Sequence, residues 1–275
     1  MKLNWKVRRN SLAALIALAA VTFGYGAPSG AAAGELMSKI QETKTISFGW
    51  AEWKPFIYKD VKTGEMTGIL VELAKAFSKR LGAEAVFVQD GSWATVPAGI
   101  AAGKYQATIL TITPARRTIV DFTIPIYSSD FTAIVDKASA AKSWNDLNQK
   151  GNTVAVTTGS AGDEVTSALE KKGEVKAEIV RIKDVGSAIL AVATQKVGGY
   201  VNQRDVLSLI ADSQNELRVL DGRFDISTGA ILFKKGEPEA EAKFNEAVRS
   251  LIKDGTVSRL LAESGVKGVD TIKAE

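Results

Sequence analysis

Short β-branched runs alternate with amphipathic stretches through most of the chain, and this alternation predicts the elements. ISFGWA (Ile46 to Ala51) reads as a first strand; FIYKD and a turn at Lys62-Thr63-Gly64-Glu65 follow, with Gly64 suited to a positive φ. GILVELAKAFSKRLG then sets Leu70, Leu73, Ala74, Phe77 and Leu81 on one helical face, and Gly82 stops that helix. AVFVQ (Ala85 to Gln89) predicts a second strand, VPAGIAAG a short helix ending at Gly103, and ATILTI (Ala107 to Ile112) a third strand. Thr113-Pro114 opens a new helical turn.

After FTAIV the pattern restarts. NTVAVTT and AEIVRI read as strands, SAGDEVTSALEKKG and DVGSAILAVATQKV as helices; GGYVNQ and DVLSLIADS repeat the unit. GAILFKK returns as a strand, and PEAEAKFNEAVRSLIKDG and TVSRLLAESG finish as helices. This order predicts an α/β fold with mainly parallel sheets, in which one set of βα units is interrupted by a second. The junctions are expected in the extended stretches Phe131 to Val135 and Thr228 to Phe233. Two strands crossing between lobes would make a hinge suited to closing on a ligand.

The first 33 residues read differently. MKLNWKVRRN is basic, SLAALIALAAVTF is apolar, and GYGAPSGAAAGE is rich in small residues, the tripartite layout of a secretory signal peptide. The run from Ser11 to Phe23 is short of the roughly 20 residues a membrane span needs. Ala31 and Ala33 favour cleavage after Ala33, whereas cleavage after Ala27 would put Pro28 just past the scissile bond; the surroundings of Arg8-Arg9 fit a twin-arginine signal poorly. A periplasmic protein released from its signal is therefore expected.

Charge follows from this. The chain has 35 Lys+Arg and 31 Asp+Glu, and Lys2, Lys6, Arg8 and Arg9 all lie in the signal, so the mature part carries 31 of each. The basic pI belongs to the signal and gives no warrant for nucleic-acid binding. Cysteine is absent, which removes disulfides, thiolate metal sites and a lipid-modified N-terminal Cys; histidine is absent too, and with it the commonest general base and metal ligand. No metal site and no cofactor are expected, and zinc-protease and Ser-His-Asp chemistry is impossible.

Three segments carry a family resemblance: FGWAEWKPFIYKDVKTGEMTGILVELAKAFSKRLG, then WATVPAGIAAGKYQATILTITPARRTIVDFTIPIY, then VAVTTGSAGDEV with the later GGYVNQ. Together, in order and over nearly all the mature chain, they resemble the family 3 extracellular solute-binding proteins, the amino-acid receptors of ABC importers. The T-P-x-R…V-D-F-(S/T)-x-P-(I/Y)-Y stretch is the most specific part. The resemblance implies a type II periplasmic-binding-protein-like fold, two α/β lobes joined by a two-strand hinge. The lobes are then 34–132 with 231–275, and 133–230. It also implies a monomer that closes on a small carboxylate ligand and presents it to an inner-membrane ABC permease.

The resemblance also implies site residues. Arg116, the Arg of T-P-x-R, would grip the ligand carboxylate, for which the two parallel donors of a guanidinium are suited. Thr111 would add a hydroxyl and a backbone N–H, although Thr is also a good β-former. Ser160 sits where the second lobe offers donors at a helix start, or is an ordinary N-cap, or both. Trp53 is expected to clamp the ligand side chain; Trp93 is equally a pocket-rim or a core residue.

One departure stands out. Where such receptors keep a second-lobe carboxylate for the ligand ammonium, this chain has Gln203, preceded by Asn202. Either Glu52 or Asp205 replaces that charge, or the solute lacks an α-ammonium. Glu52 is alternatively a plain loop acid, and Asp205 a helix-start residue facing away. Asn202 and Gln203 suit a carboxylate with neutral hydrogen-bonding groups, and the tryptophans near the opening lean towards an apolar, aromatic or cyclic body. A competing expectation is a dehydratase acting on prephenate or arogenate, with Glu52, Asp163 or Glu164 as the acid. A receptor feeding a sensor protein is a third.

Overall fold

A computed structural model describes residues 34–272, so the expected signal peptide lies outside the described residues. The chain runs through α1 (Glu35–Thr43), β1 (Thr45–Trp50), the small hairpin β2 (Tyr58–Lys59) and β3 (Met66–Thr67), α2 (Ile69–Arg80) and β4 (Glu84–Gln89). It continues through α3 (Val96–Ala101), β5 (Ala107–Thr111), α4 (Pro114–Arg117) and β6 (Val120–Phe122). Strand β7 (Tyr127–Asp136) leads into α5 (Trp144–Leu147), β8 (Thr153–Thr157), α6 (Ala161–Lys171), β9 (Glu178–Ile182), α7 (Val185–Ala193), β10 (Gly199–Gln203), α8 (Arg204–Ser213) and β11 (Leu217–Val219). Strand β12 (Asp225–Lys234) returns to α9 (Pro238–Lys253), α10 (Thr256–Ser264) and β13 (Val269–Thr271).

The main sheet has the order β4-β1-β5-β12-β7-β10-β8-β9. Strands β4, β1 and β5 are parallel, as are β10, β8 and β9. Between these two sets, β12 is antiparallel to β5 and β7, and β7 is antiparallel to β10. The expectation of parallel sheets therefore holds within each lobe and ends at the two strands that join them.

Strand β8 shows how the second lobe buries both sheet faces. Val154 and Val156 pack with Ala133, Val135, Trp144, Leu147 and Val201, whereas Ala155 points the other way to Ile134, Tyr200, Leu207 and Leu217. Such two-sided burial is why parallel strands read as continuous apolar runs. In the first lobe Phe77 packs edge-on to Phe244 at 5.0 Å, and Phe244 to Phe233 at 5.3 Å, joining α2, α9 and β12 in one core.

The two long strands pair with each other at Tyr127–Phe131 against Asp225–Gly229. Beyond that stretch Gly229–Phe233 pairs with β5 and Phe131–Ile134 with β10. The apolar runs expected as the junctions are thus mostly embedded in the lobes, with Ala133, Ile134, Val135 and Ala230 to Phe233 fully buried. The crossing itself is polar, with Ser128, Ser129 and Asp130 opposite Thr228, Ser227 and Ile226. Hydrophobic patterning marks the apolar flanks of a hinge, whereas its polar middle, in which Ser129 and Ser227 are also buried, carries no apolar signal.

Gly229 is constrained at this crossing. It lies opposite Tyr127, and a Cβ built there would fall 2.2 Å from the tyrosine ring. A side chain at this position and the ring cannot both occupy the hinge.

Candidate ligand-binding site

A cavity of about 480 Å³ opens where loops leave the carboxyl ends of the parallel strands. That is the general binding location of open α/β sheets. Its walls come from the segments after β1, β4 and β5 on one side and after β8, β9 and β10 on the other. Arg116, Thr111, Ser160, Trp53, Trp93, Glu52, Asn202 and Gln203 all line it.

Arg116 reaches the cavity from α4, a single turn whose start is set by Thr113. The Thr113 hydroxyl accepts from the Arg116 N–H at 3.2 Å, and Pro114 occupies the first helical position, where no N–H is needed. The guanidinium is 6 % exposed, and its Nη1 donates to the Thr111 carbonyl at 2.9 Å. Its Nε lies 3.6 Å from Glu164 Oε1 on α6, across the cleft. Burial pushes the guanidinium pKa down, and the nearby Glu164 carboxylate opposes that shift. A buried guanidinium with donors left over is suited to a carboxylate, and a hydrogen bond to a charged group contributes about 1.5–3 kcal/mol.

Gln203 crosses the same cleft. Its Nε2 donates to Thr111 Oγ1 at 2.7 Å and to Ser227 Oγ at 3.1 Å. Thr111 Oγ1 accepts this bond and keeps its own proton to donate. Asn202 is held within the second lobe: Nδ2 donates to the Tyr200 hydroxyl at 2.6 Å, and Oδ1 accepts from the Gln203 N–H at 2.8 Å. The Tyr200 hydroxyl also bonds Thr157 Oγ1 at 3.0 Å, and burial raises its pKa.

Ser160 is the N-cap of α6, its Oγ accepting from the Asp163 N–H at 3.2 Å, and it lines the cavity in the same position. Ser160 is thus an N-cap that also faces the cavity. Asp163 is committed elsewhere: it accepts from the Gly159 N–H at 3.0 Å and pairs with Arg181 at 2.9 Å. Helix α6 approaches β10 so closely that a Cβ at Gly162 would lie 2.9 Å from the Val201 carbonyl. That approach brings the positive end of the helix to the cavity wall.

Trp53 and Trp93 form an aromatic wall, edge to face at 5.9 Å, and Trp53 stacks on Phe56 at 4.3 Å. Trp93 both lines the cavity and packs against the first-lobe core. Trp50, the last residue of β1, is a core residue at 5 % exposure. Glu52 lines the wall but is largely exposed and pairs with Lys54 at 3.1 Å.

Asp205 does not join them. It is 2 % exposed at the start of α8 and accepts from Ser129 Oγ at 2.9 Å. It faces a small separate space beside Tyr127 and Val269. Burial raises its pKa to about 6. The alternative in which Asp205 faces away from the cavity is the one the geometry supports.

Asp90, Thr157, Lys183 and Tyr200 also line the cavity and were not among the expected residues. Asp90 and Lys183 each directly follow a strand's last residue, so the rule that ligands sit at strand carboxyl ends would have found them. Asp90 is tied down by Lys104 at 2.8 Å, by the hydroxyls of Thr95 and Tyr105, and by the Gly91 N–H at 2.7 Å. These bonds, that of Lys104 foremost, hold its pKa well below the usual carboxylate range. Among the described residues no cluster of His, Cys, Asp and Glu could hold a metal ion, and no helix is long and apolar enough to cross a membrane.

Residues 46–264 match the family model of bacterial extracellular solute-binding proteins, family 3. The chain is 28% identical over 252 residues to the arginine-binding extracellular protein ArtP of Bacillus subtilis, covering 90% of this chain and 94% of that protein. It is 26% identical over 238 residues to a probable amino-acid ABC transporter-binding protein of Haemophilus influenzae, covering 84% and 88%. Among solved structures it is similar to an ancestral amino acid-binding protein, AncCDT-1, described as a precursor of cyclohexadienyl dehydratase. That match has a TM-score of 0.68 and 28% identity, covering 82% of this chain and 97% of the other. A solute receptor for L-cysteine from Neisseria gonorrhoeae shares the fold, with a TM-score of 0.71 at 21% identity over 84% and 95% of the chains. The two α/β lobes, the paired strands that join them and the match across both lobes lead to one conclusion: the chain belongs to the bacterial extracellular solute-binding proteins of family 3.

Proposed function

We propose that this protein captures an amino acid or a related small carboxylate outside the cytoplasm and delivers it to an ABC importer. The observation that carries this reading is the buried Arg116 guanidinium on the wall of a cavity shared by residues from both sides of the paired strands. Arg116, Thr111 and Ser160 hold the ligand carboxylate, and Trp53 and Trp93 cover its carbon body. Asn202, Gln203 and Glu52 complete the polar wall. The lobes are 34–132 with 231–275, and 133–230, and they close about the crossing of β7 and β12.

The protein works as a periplasmic monomer, not lipid-anchored, with an inner-membrane permease as its partner. Removal of residues 1–33 leaves the first folded contacts intact: the Gly34 N–H donates to Glu239 at 2.7 Å and the Leu36 N–H to Glu237 at 3.4 Å. The exported protein should therefore have the mass of residues 34–275.

Its role is binding, not catalysis. The acids that a dehydratase would use are engaged: Glu52 with Lys54, Asp163 with Arg181, and Glu164 with Arg116. A proton donor needs a free path to the substrate.

A thermal-shift screen of L-amino acids and small carboxylates tests the proposal. A ligand at a hundredfold excess over its Kd adds about 2.7 kcal/mol of stability. At least one compound should raise the melting temperature, and Arg116→Ala should abolish the rise. A rise that survives in that variant removes Arg116 from the site, and turnover of prephenate or arogenate would make the protein an enzyme.

A further inference from the structure

The cavity's charges are unevenly committed. Two acids line it, and each already has a cation of its own: Glu52 pairs with Lys54 at 3.1 Å, and Asp90 with Lys104 at 2.8 Å. Glu164 lies beside Arg116 at 3.6 Å and is not part of the cavity wall. Two cations line the cavity, Arg116 and Lys183. Lys183 has no ion-pair partner among the described residues.

The neutral part of the wall is equally committed. Both hydrogens of Gln203 Nε2 are spent on Thr111 and Ser227, and Asn202 is bound to Tyr200 and to the Gln203 backbone. An ammonium ion closed into this space would find carbonyl and hydroxyl oxygens but no uncompensated carboxylate. Burying a charge without a counter-ion is costly. An anion meets a buried guanidinium that it would share with Glu164, the first turn of α6, and, on Lys183, an ammonium with no ion pair within 4 Å among the described residues.

We infer that the cavity takes a small organic acid with two acidic groups and no ammonium. One carboxylate sits on Arg116, Thr111 and the start of α6, and the second acidic group reaches Lys183 in the loop between β9 and α7. Trp53 and Trp93 cover the carbon body between them. This rests on the receptor reading above and narrows it. Lys183 is then a specificity-determining residue, because a compact ammonium on a flexible stem can meet a second anion at the cavity mouth.

Matched pairs test this on the whole mature protein, stripped of co-purified ligand by unfolding and refolding. The probes are L-glutamate with 2-oxoglutarate, L-aspartate with succinate, and 3-phenylaspartate with phenylsuccinate, followed by thermal shift and titration calorimetry. At least one diacid should bind tenfold or more tightly than its amino-acid counterpart, and Lys183→Gln should weaken it about tenfold. Gln203→Glu, which restores a negative charge, should reverse the preference towards the amino acid. Tighter binding of the amino acids by the unaltered protein overturns the inference and leaves the receptor reading standing. Diacid binding indifferent to Lys183→Gln removes the second acidic group. No response to any of these probes or to the wider screen overturns both readings together.

Discussion

Arg116 Nε and Glu164 Oε1 stand 3.6 Å apart, on α4 and α6, across the cleft that separates the two lobes. The guanidinium that a ligand carboxylate would engage is thus already compensated by a carboxylate of the opposite lobe. Glu164 Oε2 is buried and has no hydrogen-bond partner among the described residues. The pair links the two lobes across the cleft and at the same time places a negative charge next to any anion that enters.

Glu164→Gln separates these two effects. Removing one partner of a largely buried pair leaves Arg116 uncompensated, so the unliganded variant should lose about 1–3 kcal/mol of stability. An anionic ligand should bind it more tightly, with Kd lower by roughly 3- to 10-fold, because one repulsive charge is gone. Denaturant unfolding and calorimetry measure the two quantities, and unchanged values of both would mean that the pair matters to neither.

Arg116→Lys keeps the charge and loses the fork. A lysine cannot donate to the Thr111 carbonyl and grip both oxygens of a carboxylate in the geometry of a guanidinium. Kd should rise about 10- to 100-fold, with the melting temperature of the unliganded protein changed far less. Affinity within twofold of the parent would show that charge alone suffices there.

Asp205 makes stability depend on pH in an unusual direction for a carboxylate. Its folded pKa, about 6, is raised by burial above the ordinary value of 3.8. Between these values the folded state holds a proton that the unfolded chain has released, so this group's contribution to stability falls as pH rises and levels off above about 6. Two pKa units correspond to roughly 3 kcal/mol. Asp205→Asn removes that loss and keeps an acceptor for Ser129, so its stability relative to the parent should improve between pH 4 and pH 7. Parallel pH profiles from denaturant unfolding would refute the assignment.

Gly229→Ala should destabilise the protein by about 1–3 kcal/mol, the usual cost of overpacking, because the new methyl meets the Tyr127 ring. Pairing it with Tyr127→Ala should recover part of the loss in a double-mutant cycle, and strict additivity would show that ring and methyl do not collide.

The elements of this protein are largely legible in its amino-acid sequence. They depend on residues two to four positions apart, and those spacings are present in the chain itself: α2 occupies the apolar face marked by Leu70, Leu73, Ala74 and Phe77, and Gly82 ends it at φ 67°. The helix starts at Thr113 and Ser160 are readable for the same reason, and Arg116, Thr111, Ser160, Trp53, Trp93, Glu52, Asn202 and Gln203 all reach one cavity, whereas Asp205 does not. Helix α1 carries such an apolar face too, in Leu36, Met37 and Ile40, although no element was expected there, whereas the short strands β11 and β13 and the polar crossing of β7 and β12 carry no comparable signal.

The pairings that decide the chemistry lie beyond the sequence. Gln203 and Thr111 are 92 positions apart, and Ser129 and Asp205 are 76 apart. Which groups meet across the cleft depends on sheet order and on the angle at which α6 approaches β10, and neither is encoded in local periodicity. The chain alone carried the T-P-x-R motif, whose resemblance points to Arg116 for a ligand carboxylate. Only the tertiary structure decided that Glu164 would already be beside it, and that Asp205 would be turned away.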